Sequence, residues 1–166
     1  MAENSFMHIG DIEGEGTEKN HIKWIPLKSV DWGLERTLDM DDLSTTQRGY
    51  ANAKFNKISV TTELSCASAK IMTSVANGTV RDDIKIHLCR SGDDPSKGME
   101  PYLIFTLKHA VIDTYSVNGG EEQVPEESWA VAYRHIEIEY KMADPKTGAL
   151  KPKNKFAWDL LQGIAG

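Results

Sequence analysis

The chain has 166 residues, 40% of them hydrophobic and 27% charged, with a formal net charge of −6. This length predicts one domain, residues 1–166, that buries about 70% of its unfolded surface and needs no covalent staples. The acidic balance argues against nucleic acid or an anionic membrane as partner, since both attract basic surfaces. Two cysteines, Cys66 and Cys89, are too few for a disulfide scaffold and are expected to be free, buried thiols, the alternative being a single bridge between them.

Most of the chain alternates with period two. Phe6 and His8 oppose Met7 and Ile9 in a first strand that ends at Gly10. Residues 22–34 carry a strand that Pro26 confines to an edge or bends, then a second strand around 29–34. The segment from Glu35 to Ser44 is charged, with isolated Leu38, Met40 and Leu43. Long irregular loops in compact domains are usually functional, and these three apolar side chains predict a loop that lies on another subunit. Residues 54–60 form a strand. Leu64, Ala67, Ile71 and Val75 then recur at helical spacing, with Ser65 as N-cap and Asn77-Gly78 as the closing turn.

The next strand places Val80, Ile84, Ile86 and Leu88 opposite Arg81, Lys85, His87 and Cys89. Two strands, 102–108 and 111–117, flank His109-Ala110, and Asn118-Gly119-Gly120 turns the chain. From Trp129 to Tyr140 the apolar phase changes: Trp129, Val131 and Tyr133 are odd, Ile136, Ile138 and Tyr140 even. A bulge near Arg134-His135 is expected to reconcile them. Phe156 and Trp158 close the fold as a short last strand. Many short strands and one helix predict a mainly β fold, a small β-barrel of two sheets with one flanking α-helix and a long extended loop.

Catalytic signatures are missing from the sequence. Gly10-Asp11-Ile12-Glu13-Gly14-Glu15-Gly16 has the glycines of a phosphate loop, but its carboxylates would repel phosphate, so a turn is the better reading. Cys66 with His87 or His109 lacks an activating motif and is expected to pack against the barrel. His87 and Cys89 stand on one strand face and could chelate a metal with Cys66 as third ligand, but four ligands at paired spacing are wanted. His135, Glu137 and Glu139 would stand about 7 Å apart in a row along one strand, a charged face rather than an acid–base centre. Asp39, Asp41 and Asp42 lack the glycine and terminal glutamate of a calcium loop. No enzyme, metal or cofactor is expected. The first residues, Met1-Ala2-Glu3-Asn4-Ser5, lack an apolar run behind them, and the best apolar stretch, 102–117, is broken by Lys108, His109 and Asp113. Neither a cleaved signal peptide nor membrane insertion is expected.

Three signatures remain: Ile9-Gly10-Asp11-Ile12-Glu13-Gly14-Glu15, then Val30-Asp31-Trp32-Gly33 after Trp24, and Ala157-Trp158-Asp159-Leu160. In this order and spacing they resemble the haemolysin-coregulated proteins (Hcp) of the type VI secretion system. The resemblance marks Gly10, Gly14, Trp32, Gly33, Trp158 and Asp159 as family signature residues. It implies homohexameric rings that stack into a tube, tipped by the VgrG spike, driven out by a contractile sheath and carrying effectors in the channel. It further implies assembly in the cytoplasm and secretion without a cleaved signal peptide. The family's extended loop corresponds to residues 35–50, with Leu38, Met40 and Leu43 reaching the adjacent subunit. The residue before Trp-Gly commonly faces the channel and is often Ser; here it is Asp31, so the resemblance implies channel-lining carboxylates, the alternative being a solvated edge residue or a local salt bridge to Lys28 or Arg36. Trp32 and Trp158 are both expected to be largely buried. The rival reading is a monomeric small β-barrel that binds a hydrophobic ligand.

Overall fold

The computed structural model describes residues 4–41, 43–46, 53–92 and 96–166. Strands β1 (Ser5–Ile9), β2 (Ile25–Pro26), β3 (Ser29–Asp31), β4 (Leu34–Arg36), β5 (Ala53–Phe55) and β6 (Ile58–Glu63) precede helix α1 (Ser68–Asn77). After it come β7 (Ile84–Ser91), β8 (Met99–Asn118), β9 (Glu126–Ala143), β10 (Leu150–Asp159) and β11 (Ile164–Ala165). The main sheet runs β11-β10-β9-β8-β7-β1-β2, with β6 on β9 and β3 on β6; β4 and β5 form a separate ribbon. All the pairings are antiparallel.

Closure comes from a bend at Pro26. Leu27 N–H donates to Ser5 O on one layer and Lys28 N–H to Thr61 O on the other, 2.8 and 2.7 Å. Residues 25–31 thus cross from β1 to β6, and the interior fills with Met7, Ile9, Ile58, Val60, Ile84, Ile86, Leu107, Ile112, Trp129, Val131 and Ile136. Trp129 is buried whole because its indole N–H finds Thr62 Oγ1 at 3.2 Å.

The two longest strands, β8 and β9, each serve both layers. Phe105 and Leu107 face the core from β8, and so do Ala110 and Ile112, which are one residue out of phase with them. Across from them β9 shifts from Trp129 and Val131 to Ile136. The expected bulge near Arg134-His135 is not there: Lys108 still pairs with His135 and Ala110 with Tyr133, so no residue is inserted. Instead both strands turn over together opposite His109, whose φ is +50°. The flip is pinned from outside. Arg81 and Ala110 exchange both backbone hydrogen bonds, and His109 N–H donates to Asp82 Oδ1 at 2.9 Å. The true register shift lies between Ile112 and Thr114. At the turnover β9 changes its outer partner from β6 to β10.

Several sequence expectations shift. The 102–108 and 111–117 strands are one strand. The 29–34 strand breaks at Trp32-Gly33 into β3 and β4. The helix starts at Ser68, with Ala67 at its N-cap and no side-chain cap; Ser65 Oγ accepts from Ala67 N–H and Ser68 Oγ from Ser65 N–H, a turn before the helix. Leu64 still bonds Pro125 O as an extension of β6 and is exposed. The C-terminus ends as expected, at Gly78 with φ 66° donating to Ser74 O. Val80 lies outside β7 and is exposed, while Cys89 stays on the His87 side of the strand and is buried there against His21. Trp32 and Trp158 are only half-buried: Trp32 lies in the break between β3 and β4, and Trp158 on β10 packs against Phe55 of the small ribbon. Both cysteines are free, but Cys66 is exposed rather than buried: its Sγ donates to Glu13 O at 3.5 Å on the outside of the barrel.

The first glycine turn is built by close approach. A Cβ on Gly14 would stand 2.5 Å from Trp24 O and 2.8 Å from the Ile25 backbone. Gly14→Ala is therefore expected to destabilise the fold by about 1–3 kcal/mol and lower Tm by several degrees. Gly120→Ala, where a Cβ meets nothing within 4 Å, is expected to leave Tm within about 1 °C. Equal thermal melts for the two variants would refute this account of the turn.

Candidate functional site

The sequence of β3, β6, β9 and β8 alternates so that large apolar residues enter the core and small hydroxyl residues face outward. Register aligns them into rows. Asp31, Ser59, Ala130 and Thr114 stand side by side across four strands, and Ser29, Thr61, Ser128 and Ser116 form the next row. A third row sets Glu63 and Glu126 beside Asn118. There Lys28 Nζ lies 3.6 Å from Glu63 and 3.1 Å from Glu126. The two carboxylates raise the Lys28 ammonium above its ordinary range, Glu126 foremost. At the opposite end Lys57 pairs with Asp113. The result is a wide, shallow, hydroxyl-lined face with ion pairs at both ends.

Asp31 is exposed on this face and borders two of its concavities, one shared with Trp32, Gly33, Lys54 and Lys57, the other with Ser29, Ser59 and Thr114. Lys28, one conceivable salt-bridge partner for Asp31, is instead taken by Glu63 and Glu126. Beneath, Trp32 Nε1 donates to Tyr133 Oη at 2.7 Å, and Tyr133 Oη donates to Asn56 O at 2.7 Å. Burial pushes the Tyr133 hydroxyl up, against the opposing effect of the Trp32 hydrogen bond. This relay fixes the backbone on which Asp31 sits. Next to it Asn56 N–H donates to Gly33 O at 3.0 Å.

Both lateral edges of the four-stranded face are open. β3 pairs with β6 alone, and residues 111–118 of β8 pair with β9 alone among the described residues. The β4–β5 ribbon prolongs the β3–β6 hairpin, with Leu34 exposed opposite Phe55. Phe55 stacks on Phe156 and Trp158 at 6.4 and 6.1 Å. Leu38 beyond the ribbon is half-buried, whereas Met40 is 83% exposed and Leu43 53%. The rest of the expected loop, Asp42 and residues 47–50, lies outside the described residues.

The signature residues do not converge on one point. Gly10 (φ 29°) and Gly14 shape the first turn. Asp159 caps the final turn by accepting from the Leu161 and Gln162 N–H groups at 2.9 Å each. The Gln162 hydrogen bond, followed by Arg134, holds its carboxyl below the usual range against the opposing desolvation.

The other candidate constellations also resolve. His135 Nε2 meets Gly166 O at 2.7 Å and Glu137 pairs with Lys155 at 3.1 Å, so that charged row is tied into the fold. His87 and Cys89 do meet a third group, but it is His21 rather than Cys66: His21 Nε2 lies 3.0 Å from His87 Nδ1 and 3.7 Å from Cys89 Sγ. His21, in an irregular segment far from any motif, gave no sequence signal. Among the described residues no group of three or more His, Cys, Asp or Glu side chains is arranged to hold a metal ion. No helix of the described residues is long and apolar enough to cross a membrane.

Residues 6–140 match the family described as type VI secretion system effector, Hcp. Protein Hcp1 of Pseudomonas aeruginosa is 22% identical over 166 residues, covering 99% of both chains. A solved structure of a type six secretion system protein superposes with a TM-score of 0.87 at 21% identity, over 99% of this chain and all of that one. Hcp1 from Salmonella typhimurium superposes with a TM-score of 0.74 at 16% identity over the whole of both chains. With four-fifths of its length inside the family match and the same β fold in these relatives, the chain belongs to the Hcp family of type VI secretion proteins.

Proposed function

We propose that the chain is a structural subunit of the type VI secretion inner tube, a single tube domain that closes into six-membered rings. The observation that carries this reading is the hydroxyl-lined face with an open strand edge on each side. One edge is β3, the other β8, so copies set side by side meet head to tail and a rotation that closes gives a ring. The face then becomes the channel wall, small and hydrophilic enough to let cargo pass without sticking. An open edge left in solution would invite uncontrolled pairing, which ring closure removes. The exposed Leu34, Met40 and Leu43, on and beyond the ribbon that prolongs the β3–β6 hairpin, supply apolar area for a neighbouring subunit.

Rings of this kind stack into the exported tube, with the VgrG spike, the contractile sheath and secreted effectors as partners. Assembly takes place in the cytoplasm, and export uses the secretion machine instead of a cleaved signal. The role is structural rather than enzymatic. The rival, a monomeric barrel holding a hydrophobic ligand, needs an apolar cavity, whereas this barrel's interior is filled by its own side chains. Native mass spectrometry at micromolar concentration separates the two: hexamers are expected, and a monomer would favour the rival.

Replacing Leu38, Met40 and Leu43 together by Ser is expected to weaken ring association or stacking at least ~10-fold, since three apolar side chains leaving an interface forfeit about 2–4 kcal/mol. The monomer's far-UV circular dichroism is expected to be unchanged. Assembly equal to the parent protein in analytical ultracentrifugation would remove the loop from the interface.

Asp31 is proposed to line the channel as six carboxylates. Asp31→Lys reverses the charge of that ring, and charge on such a surface governs partner choice more than folding. The expected outcome is an altered set of effectors co-purifying with rings of confirmed hexameric size, at an unchanged melting temperature. Identical cargo on both rings would take Asp31 off the cargo surface.

A further inference from the structure

Residues 13–24 form a strap that folds back across the outside of β1 and β7. Its ends are joined by backbone hydrogen bonds: Gly14 N–H to Lys23 O, Lys23 N–H to Gly16 O and Gly16 N–H to Trp24 O, each 2.8 Å. Lys23 sits in the left-handed region, φ 64°, a conformation that a non-glycine residue holds only when its surroundings impose it. The middle of the strap is tied to the β7–β8 connection. Glu18 accepts from Met99 N–H at 2.9 Å, and Asn20 Nδ2 donates to Lys97 O and Met99 O at 2.7 and 3.0 Å.

His21 is the strap's anchor. It is 1% exposed, stacked on Phe6 with ring centres 4.5 Å apart and edge-on to Trp24 and His87. Its Nδ1 contacts the Glu18 carboxylate. An ionised carboxylate only accepts, so Nδ1 carries a hydrogen. The other nitrogen, Nε2, faces His87 Nδ1 at 3.0 Å. That contact holds one hydrogen between the two nitrogens and has no room for two. Glu18 closes the chain on the far side of His21. Burial pushes Glu18 up, but the Met99 N–H, His21 and Asn20 N–H more than offset it and its carboxyl lies below the usual range.

A second proton would set two N–H groups against each other. Burial and the cationic neighbours oppose that proton. Burial, then His21, Lys85, Lys141 and His8, lowers His87 from 6.5 to about 4. Glu18 comes from the strap and Trp24 lies against both rings; β1 contributes His8, itself bonded to Asp83. From β7 come Lys85 and the Cys89 thiol, which burial pushes up to about 12 and so keeps neutral. From β9, in the register row that runs through His87 and Ile104, comes Glu139, with Lys141 beyond it.

We propose that the Glu18–His21–His87 chain is an acid-sensitive latch that holds the 13–24 strap on the barrel at neutral pH and releases it when the histidine pair takes up a second proton. The sign follows from linkage. His87 binds its proton more weakly in the latched state than in the open one, so the latch is at full strength above pH 6.5 and weakens as the pH falls towards about 4. Release uncovers Phe6, His87 and Cys89 and frees Glu18 from the β7–β8 connection. The rest of the barrel keeps its own core.

The reporter is Cys89, buried beside His21 in the latched state. In a Cys66→Ser background, which removes the exposed thiol, labelling by a pyridyl disulfide is followed from neutral pH to about pH 4.5. Each rate is divided by that of the denatured chain at the same pH, which cancels the intrinsic thiol chemistry. The ratio is expected to rise roughly 30- to 100-fold on acidification, the shift in the latch equilibrium that linkage gives for this displacement of His87, with far-UV circular dichroism unchanged. Adding His87→Gln, which keeps a hydrogen-bond partner for His21 but cannot take the second proton, is expected to flatten the profile. A flat profile in the Cys66→Ser protein, or an equal rise in the His87→Gln variant, overturns the latch. If that variant does not fold, nitrogen-15 spectra of the Cys66→Ser protein decide. Protonation of His87 in step with loss of Met99 amide protection supports the latch, and protonation with that amide still protected overturns it.

Discussion

The turnover shared by β8 and β9 at His109 is the constraint from which the barrel follows. A regular strand presents one set of alternating residues to one side, and 20- and 18-residue strands would otherwise make one long flat ladder. Changing phase on both strands at once lets the same pair present Trp129, Val131 and Ile112 to the core in one half, and Leu107, Phe105 and Ile136 in the other. It also frees the outer edge of β9 to change partners, β6 before the turnover and β10 after it. The cost of a left-handed His109 is offset by the Arg81 and Asp82 contacts that hold it.

Buried polar groups then fix the parts that apolar packing leaves free. Glu127 is 1% exposed on β9 and accepts from Ser68 Oγ at 2.5 Å, tying the first turn of the helix to the sheet. Arg81 reaches Ser74 and Asp11, joining the helix to the first glycine turn. His21 holds the strap in the same manner. These are directional contacts between separate elements of the fold. Such contacts add modest net energy but specify orientation, because leaving a buried donor or acceptor unmatched is costly.

The outer face of the four-stranded half has the opposite character. Its hydroxyls are exposed and short, and its charges are gathered at the two ends. The core demands large residues on one side of β6 and β9, yet the other side carries Ser59, Thr61, Ser128 and Ala130. A merely solvated sheet face would tolerate long charged side chains, and the β10 strand of this same chain carries Lys151, Lys153 and Lys155. Restricting one face to small groups keeps a surface smooth, a property that suits a wall along which another molecule moves.

The sequence by itself determined the mainly β class, the helix with its Gly78 stop and the family, because these rest on local periodicity, backbone freedom and short signatures; at Pro26 it left an edge strand or a bend, which the pairing decided. It showed that the apolar phase changes between Trp129 and Ile136, but not how, since a bulge and a joint turnover leave the same pattern in one strand and differ only in the partner. Asp31 was singled out by its place before Trp32-Gly33. The rows of Ser29, Ser59, Thr61, Thr114, Ser116 and Ser128 around it were not, as they come from four segments that register alone brings together. The half-burial of Trp32 and Trp158, the exposure of Cys66 and the meeting of His21 with His87 and Cys89 were likewise decided by tertiary structure. Burial and contact depend on which distant element covers a residue, and no local pattern encodes that.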